Sequence, residues 1–107
     1  MSWNIDKRDK FEVYVPSFHL EIEFISAISI LTFDSNKIID STKFHPSHEI
    51  CKVLQIAYSK HEYHFKSFVV IFQNKLIFPS FSESFVFVTT QSEAIDYIYM
   101  EELERNL

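Results

Sequence analysis

Glycine is absent from all 107 residues, although ordinary usage of roughly 7% would place about seven in a chain of this length. Glycine supplies positive φ and lets the backbone approach a ligand closely. Without it the phosphate-cradling loop G-x-x-x-x-G-K-[ST], the dinucleotide turn G-x-G-x-x-G and the nucleophile elbow G-x-S-x-G are all excluded. The sequence names no reaction and reads as non-enzymatic, with no cofactor expected.

Other scarcities narrow the class further. Cys51 is the sole cysteine, which excludes an intrachain disulfide and suits a reducing compartment. The longest apolar run, Phe68 to Phe72, is far too short to span a bilayer as a helix. The opening residues are polar and lack the apolar core of a secretory signal, so the expectation is a cytoplasmic protein without membrane contact. Arginine occurs only at Arg8 and Arg105, and the net charge is −5. Nucleic-acid binding needs clustered basic residues to displace counterions. The one local cluster, Lys7, Arg8 and Lys10, is diluted by Asp6 and Asp9, so no nucleic-acid partner is expected. Residues 1–10 read as a flexible polar arm on a single domain spanning 1–107.

What is abundant is apolar and aromatic: 47% hydrophobic residues, with Phe at twelve positions, enough to offset the entropy of ordering. Phe11–Val15 alternates as a half-buried strand does. After Pro16-Ser17, Phe18–Phe24 alternates again, predicting a strand with His19, Glu21 and Glu23 on its wet face. A third strand is predicted over Ile28–Phe33, then a turn over Asp34–Lys37 with Asn36 in the left-handed region, and a short edge strand at Ile38-Ile39. Ser47 is the predicted N-cap of a helix whose Ile50, Val53, Leu54, Ala57 and His61 share a face and which ends near Lys60–Tyr63. Phe68–Phe72 reads as a central strand covered on both faces. Gln73–Lys75 follows as a hairpin turn into Leu76–Phe78, and Phe85–Val88 as another covered strand.

Thr90-Gln91-Ser92-Glu93 has the form of a capping box. The helix it opens shows an apolar stripe of Ile95, Ile98, Tyr99 and Leu103, opposite Asp96, Glu101 and Glu104. The resulting order, βββ-α-βββ-α, predicts an α+β two-layer sandwich: a largely antiparallel sheet of five to six strands with two helices on one face. The ending from Phe85 to Ile95 resembles the closing unit of many small α/β domains, STAS-like ones among them. The chain length leaves no room for the alternating helices of that fold.

Candidate chemistry is sparse. His45, His48, His61 and His64 imitate the spacing of a zinc finger. A helix between His48 and His61 would separate the pairs by about 20 Å, however, so they cannot share one metal. Cys51 borders the apolar stripe of its helix and reads as an inert small hydrophobe. Trp3, Tyr14, Tyr58, Tyr63, Phe65 and Tyr97 have no clear core assignment and are candidate surface anchors, either for a partner or for self-association. The leading expectation is a small acidic interaction module that binds a protein partner, a basic one suiting the charge, or itself. Its contact residues would be His19, Glu21, Glu23, Tyr14, Tyr97, Glu101 and Glu104. The alternative is a small-ligand or metal-binding domain with a helix–sheet pocket supplied by His19, His45 or His48.

Overall fold

In the structure, a computed structural model that describes residues 2–73 and 85–107, the element order is β1 (Trp3–Lys7), β2 (Glu12–Pro16), α1 (Glu21–Ser29), β3 (Lys37–Asp40), α2 (His48–Tyr63), β4 (Phe68–Ile71), β5 (Val86–Val88) and α3 (Gln91–Arg105). The α+β class holds, with a five-stranded mixed sheet and three helices among the described residues. Strands lie in the order β1-β2-β3-β4-β5. The β1–β2 pair is antiparallel, and every later pairing is parallel.

Alternation along the strands divides the core into two. Tyr14, Ile39 and Val70 face α1 and α2 in a cluster with Phe24, Ile28, Ile50, Leu54 and Ala57. Their neighbours Val13, Ile38 and Val69 face α3 and pack with Ala94 and Ile98. Helices therefore cover both faces of the sheet, and the expected two-layer, largely antiparallel arrangement is corrected to three layers around a mostly parallel sheet. Two crossovers, through α1 and α2, alternate helix with strand, so the chain accommodates an alternation for which its length was expected to leave no room.

The largest local correction is α1. Phe18–Phe24 alternates without a fault, yet Glu21–Ser29 is helical and buries Phe24, Ala27 and Ile28. The i, i+3, i+4 spacing of those three competes with the strand period and wins because α2 offers a face to pack against. Leu20 stands at the N-cap without a side-chain acceptor, so the start is held by half a capping box, with the Glu23 carboxylate accepting the Leu20 N–H at 3.4 Å. Beyond Ser29 the chain is irregular through Asn36, where a third strand was expected.

Ile38-Ile39 belongs to the middle of the sheet, buried on both sides, rather than to an edge. Residues 3–7, expected within a flexible arm, form β1 because Trp3 anchors them, its ring 5.5 Å from Tyr14 and 5.2 Å from Phe18. The β4 strand is central and buried, as its unbroken apolar run implies. The predicted hairpin turn at 73–75, apart from Gln73, and the strand at 76–78 lie outside the described residues.

Both long helices start as their sequences indicate. Ser47 Oγ accepts from Ile50 N, and Thr90 Oγ1 accepts from Glu93 N. The core face of α3 is rotated from the expected one, however. Ala94 and Ile98 are buried, while Tyr99 and Leu103 face outward, Leu103 at 67% exposure. The cause is polar: the second half of α3 runs past hydrogen-bond donors at the sheet end, which draw Glu101 and Glu102 inward.

Candidate functional site

Those donors belong to the amino end of the parallel strands, where the irregular segment before β3 folds back. Asn36 sits immediately before β3 and is buried. Its Nδ2 donates to the Lys10 carbonyl at 2.9 Å and to the Glu102 carboxylate at 2.6 Å, while its Oδ1 accepts the Ser67 N–H at 2.7 Å. One amide thereby joins the β1–β2 connection, the start of β4 and the end of α3. Asn36 does not adopt the left-handed conformation expected of it, since among the described residues only Phe65 has positive φ. Ser67 Oγ donates to Glu101 and accepts from Arg105, which also pairs with Glu102.

Lys37, the first residue of β3, points toward α2 and is fully buried. Its Nζ donates to the Thr32 carbonyl at 2.7 Å and meets His61 Nε2 at 3.1 Å, with the Ser35 carbonyl at 3.4 Å. The His61 Nδ1 lies 2.7 Å from the Ala57 carbonyl, so it carries the proton and leaves Nε2 free to accept. Burial pushes the His61 imidazole down to about 4 and lowers Lys37 from its ordinary value, Asp34 opposing the second shift. Each ammonium proton has an acceptor, and the pair closes the loop Thr32–Asn36 over the sheet end. These groups hold structure, and none presents an open position to a substrate.

Directly outside this polar interior stands an apolar rim. Helix α2 ends in a Schellman cap: Lys66 N–H bonds the His61 carbonyl at 2.8 Å and Phe65 N–H the Glu62 carbonyl at 3.0 Å. The motif needs a left-handed residue at its turn, ordinarily glycine. Phe65 occupies it, with φ of 60°, and its side chain is 77% exposed. A bulky residue in that region stores about 1 kcal/mol or more of strain. Tyr63 beside it is 81% exposed. The Tyr63 ring meets His64 at 5.4 Å, His64 meets Phe33 at 5.0 Å, and Lys60 Nζ lies 5.6 Å from the Phe33 ring centre. Leu31, Phe33 and His64, with Thr32 and Asp34, line an open hollow of about 370 Å³. Leu31 and Phe33 also border a smaller cavity of about 80 Å³ between α1 and α2.

The contact residues expected from the sequence do not gather on one surface. Tyr14 is buried in the sheet, its hydroxyl donating to Glu12, and burial raises it to about 12. Glu21 and Glu23 open α1 on one face of the sheet, with exposed His19 just before them. Glu101 and Glu104 lie on α3 over the opposite face, and Glu101 is tied to Ser67 and Arg105. Tyr97 is half-buried on α3, raised to about 12 by burial and then by Glu101. Of the unassigned aromatics, Tyr63 and Phe65 are the exposed ones, while Trp3 and Tyr58 are half-buried.

Histidines stand in two pairs at opposite ends of α2, the separation that its helical rise requires. His45, His48 and His64 are exposed, whereas His61 is buried and engaged, on the helix face it shares with Ile50, Val53, Leu54 and Ala57. Among the described residues no group of three or more His, Cys, Asp or Glu is placed to hold a metal ion. Cys51 is buried, and burial raises its thiol to about 11. Among the described residues no helix is long and apolar enough to cross a membrane. No family model matches the chain, and no curated protein is significantly similar to it.

Proposed function

We propose that the protein is a non-enzymatic interaction module that binds a protein partner through the rim formed by Tyr63, Phe65, His64 and the Leu31–Phe33 hollow. The observation that carries this reading is Phe65 itself. An exposed phenylalanine in the left-handed position of a helix cap costs stability twice, through backbone strain and through exposed apolar surface. Residues held outside their preferred backbone region cluster at ligand clamps and switch regions, and an exposed aromatic is a common anchor for a partner's pocket. The hollow next to it offers the complementary feature, a place for an apolar side chain of the partner.

Affinity capture from the source cells tests the reading. Phe65→Gly and Tyr63→Ser are each expected to lower recovery of the specific partner by about tenfold or more, the loss of one anchor. Both variants should keep the wild-type circular dichroism spectrum. Equal recovery by wild type and both variants removes the rim from consideration. The pair Glu21→Lys/Glu23→Lys, run in the same experiment, separates the acidic start of α1 from the rim.

A second reading, a small-ligand domain, is favoured by one placement. His19 and His45 stand on the connections that follow β2 and β3, and His48 opens α2, toward the carboxyl ends of parallel strands, where open parallel sheets bind their ligands. A ligand there would raise the melting temperature by linkage, whereas a panel of metabolites and divalent metals that leaves it unmoved rejects this reading.

A further inference from the structure

Strand β1 ends the sheet, and no strand covers its outer edge among the described residues. The ladder with β2 fixes which backbone groups that edge presents. Ser17 N–H donates to the Ser2 carbonyl at 3.2 Å and Arg8 N–H to the Phe11 carbonyl at 2.8 Å. In the register that pairs Trp3 with Pro16 and Lys7 with Glu12, the even-numbered residues of β1 therefore turn their peptide groups toward β2. The N–H and C=O groups of Trp3, Ile5 and Lys7 face away from the sheet. Side chains alternate independently: Trp3 packs on the α1 side, so Ile5 and Lys7 share that face and Asn4 and Asp6 occupy the other. Ile5, at the centre of this charged strand, is 45% exposed.

We infer that this edge pairs with the same edge of a second copy of the chain, antiparallel about a twofold axis at Ile5. This surface is separate from the aromatic rim, and the inference does not rest on the rim. With Ile5 opposite the partner's Ile5, all the outward peptide groups of β1 form hydrogen-bonded pairs, as an antiparallel ladder requires. Trp3 then faces the partner's Lys7, a cation beside an indole, and Asn4 faces the partner's Asp6, an amide donor beside a carboxylate. Each favourable pair occurs twice by symmetry.

Neighbouring registers are worse. Shifting toward Lys7 sets Asp6 against the partner's Asp6, and a further shift sets Lys7 against the partner's Lys7, like charges directly opposed. The opposite slip, centred on Asn4, moves Lys7 beyond the partner's β1. Charged residues on an edge ordinarily block pairing. Here they alternate so that both shifts toward Lys7 oppose like charges, while the slip toward Asn4 forfeits the Trp3–Lys7 pairs.

Sedimentation velocity over micromolar to millimolar concentrations, combined with directed crosslinking, tests this. The wild-type mass is expected to rise with concentration from 12.8 kDa toward twice that value. Ile5→Cys should form an intermolecular disulfide under mild oxidation, because a hydrogen-bonded antiparallel pair sets its Cα atoms about 5.5 Å apart, within disulfide range. Lys7→Cys, placed opposite the partner's Trp3, should link far more slowly, and the buried Cys51 should not compete. Ile5→Asp and Ile5→Lys should each weaken dimerisation by about tenfold or more, and mixing the two should restore it. A wild-type mass that stays at 12.8 kDa throughout overturns the inference. So does crosslinking of Lys7→Cys as fast as Ile5→Cys, or failure of the mixture to recover.

Discussion

Around the end of α2, two groups of residues reverse the usual order of a protein. Lys37, His61 and Asn36 are polar and buried; Tyr63 and Phe65 are apolar and exposed. The difference lies in what each group has found. The interior set is fully engaged, with the lysine ammonium shared among a carbonyl, a histidine ring and a loop, and the asparagine amide joining three segments. Burial without partners would be prohibitive, so their completeness marks them as structure. The rim has the opposite signature: apolar surface without cover and a backbone residue outside its preferred region. Polar groups here serve stability, and the residues that cost stability are the ones on which the proposed binding site rests.

Substitutions can break this contrast. The largest effect is expected from Lys37→Ala, which removes every hydrogen bond from Nζ and leaves a cavity beside His61. Urea unfolding should show a loss of about 3 kcal/mol or more, and a loss below about 1 kcal/mol would refute the structural role.

Next comes pH. The His61 value of about 4 in the folded chain lies below its ordinary 6.5, so between those values the unfolded chain binds a proton that the folded one does not. The stability contribution is complete above pH 6.5 and falls on acidification by on the order of 2–3 kcal/mol by pH 4. Melting curves of His61→Phe should lose this acid limb while starting from a lower plateau at pH 7.

Phe65→Gly should do the reverse of these changes and stabilise the chain by about 1 kcal/mol, since glycine takes positive φ without strain. Tyr63→Ser should move stability by less than about 0.5 kcal/mol, as an exposed side chain without a cap or bond at stake. A loss of 2 kcal/mol there would mean that the rim ring is packed rather than presented.

Much of the fold was legible because it is written locally. Ser47 and Thr90 announce the starts of α2 and α3, and the unbroken run at Phe68 announces a strand covered on both faces. What escaped depends on partners far away in the chain. The run Phe18–Phe24 satisfies a strand period, and only the presence of α2 makes the helical face of Phe24, Ala27 and Ile28 the better burial. Parallel pairing of β2 through β5 leaves its trace only in the apolar runs at Phe68–Phe72 and Phe85–Val88, whose cover on both faces already implied helices on both sides. With α1 read as a strand, too few helices remained to supply that second layer. In α3, Tyr99 and Leu103 look like core until Asn36 and Ser67, far back in the chain, claim Glu102 and Glu101. Of the site, Tyr63 and Phe65 stood out as aromatics without a core face. The strain at Phe65 had one available signal: a helix ending near Tyr63 needs a left-handed residue soon after it, and this chain has no glycine to offer.

The most direct test of the account is a paired measurement on Phe65→Gly, urea unfolding together with quantitative capture of the partner that wild type retains. The expected result is a chain that is more stable by about 1 kcal/mol and that no longer holds its partner. Greater stability with undiminished capture would contradict it, and would mean that Phe65 fills a glycine position only because the chain uses none.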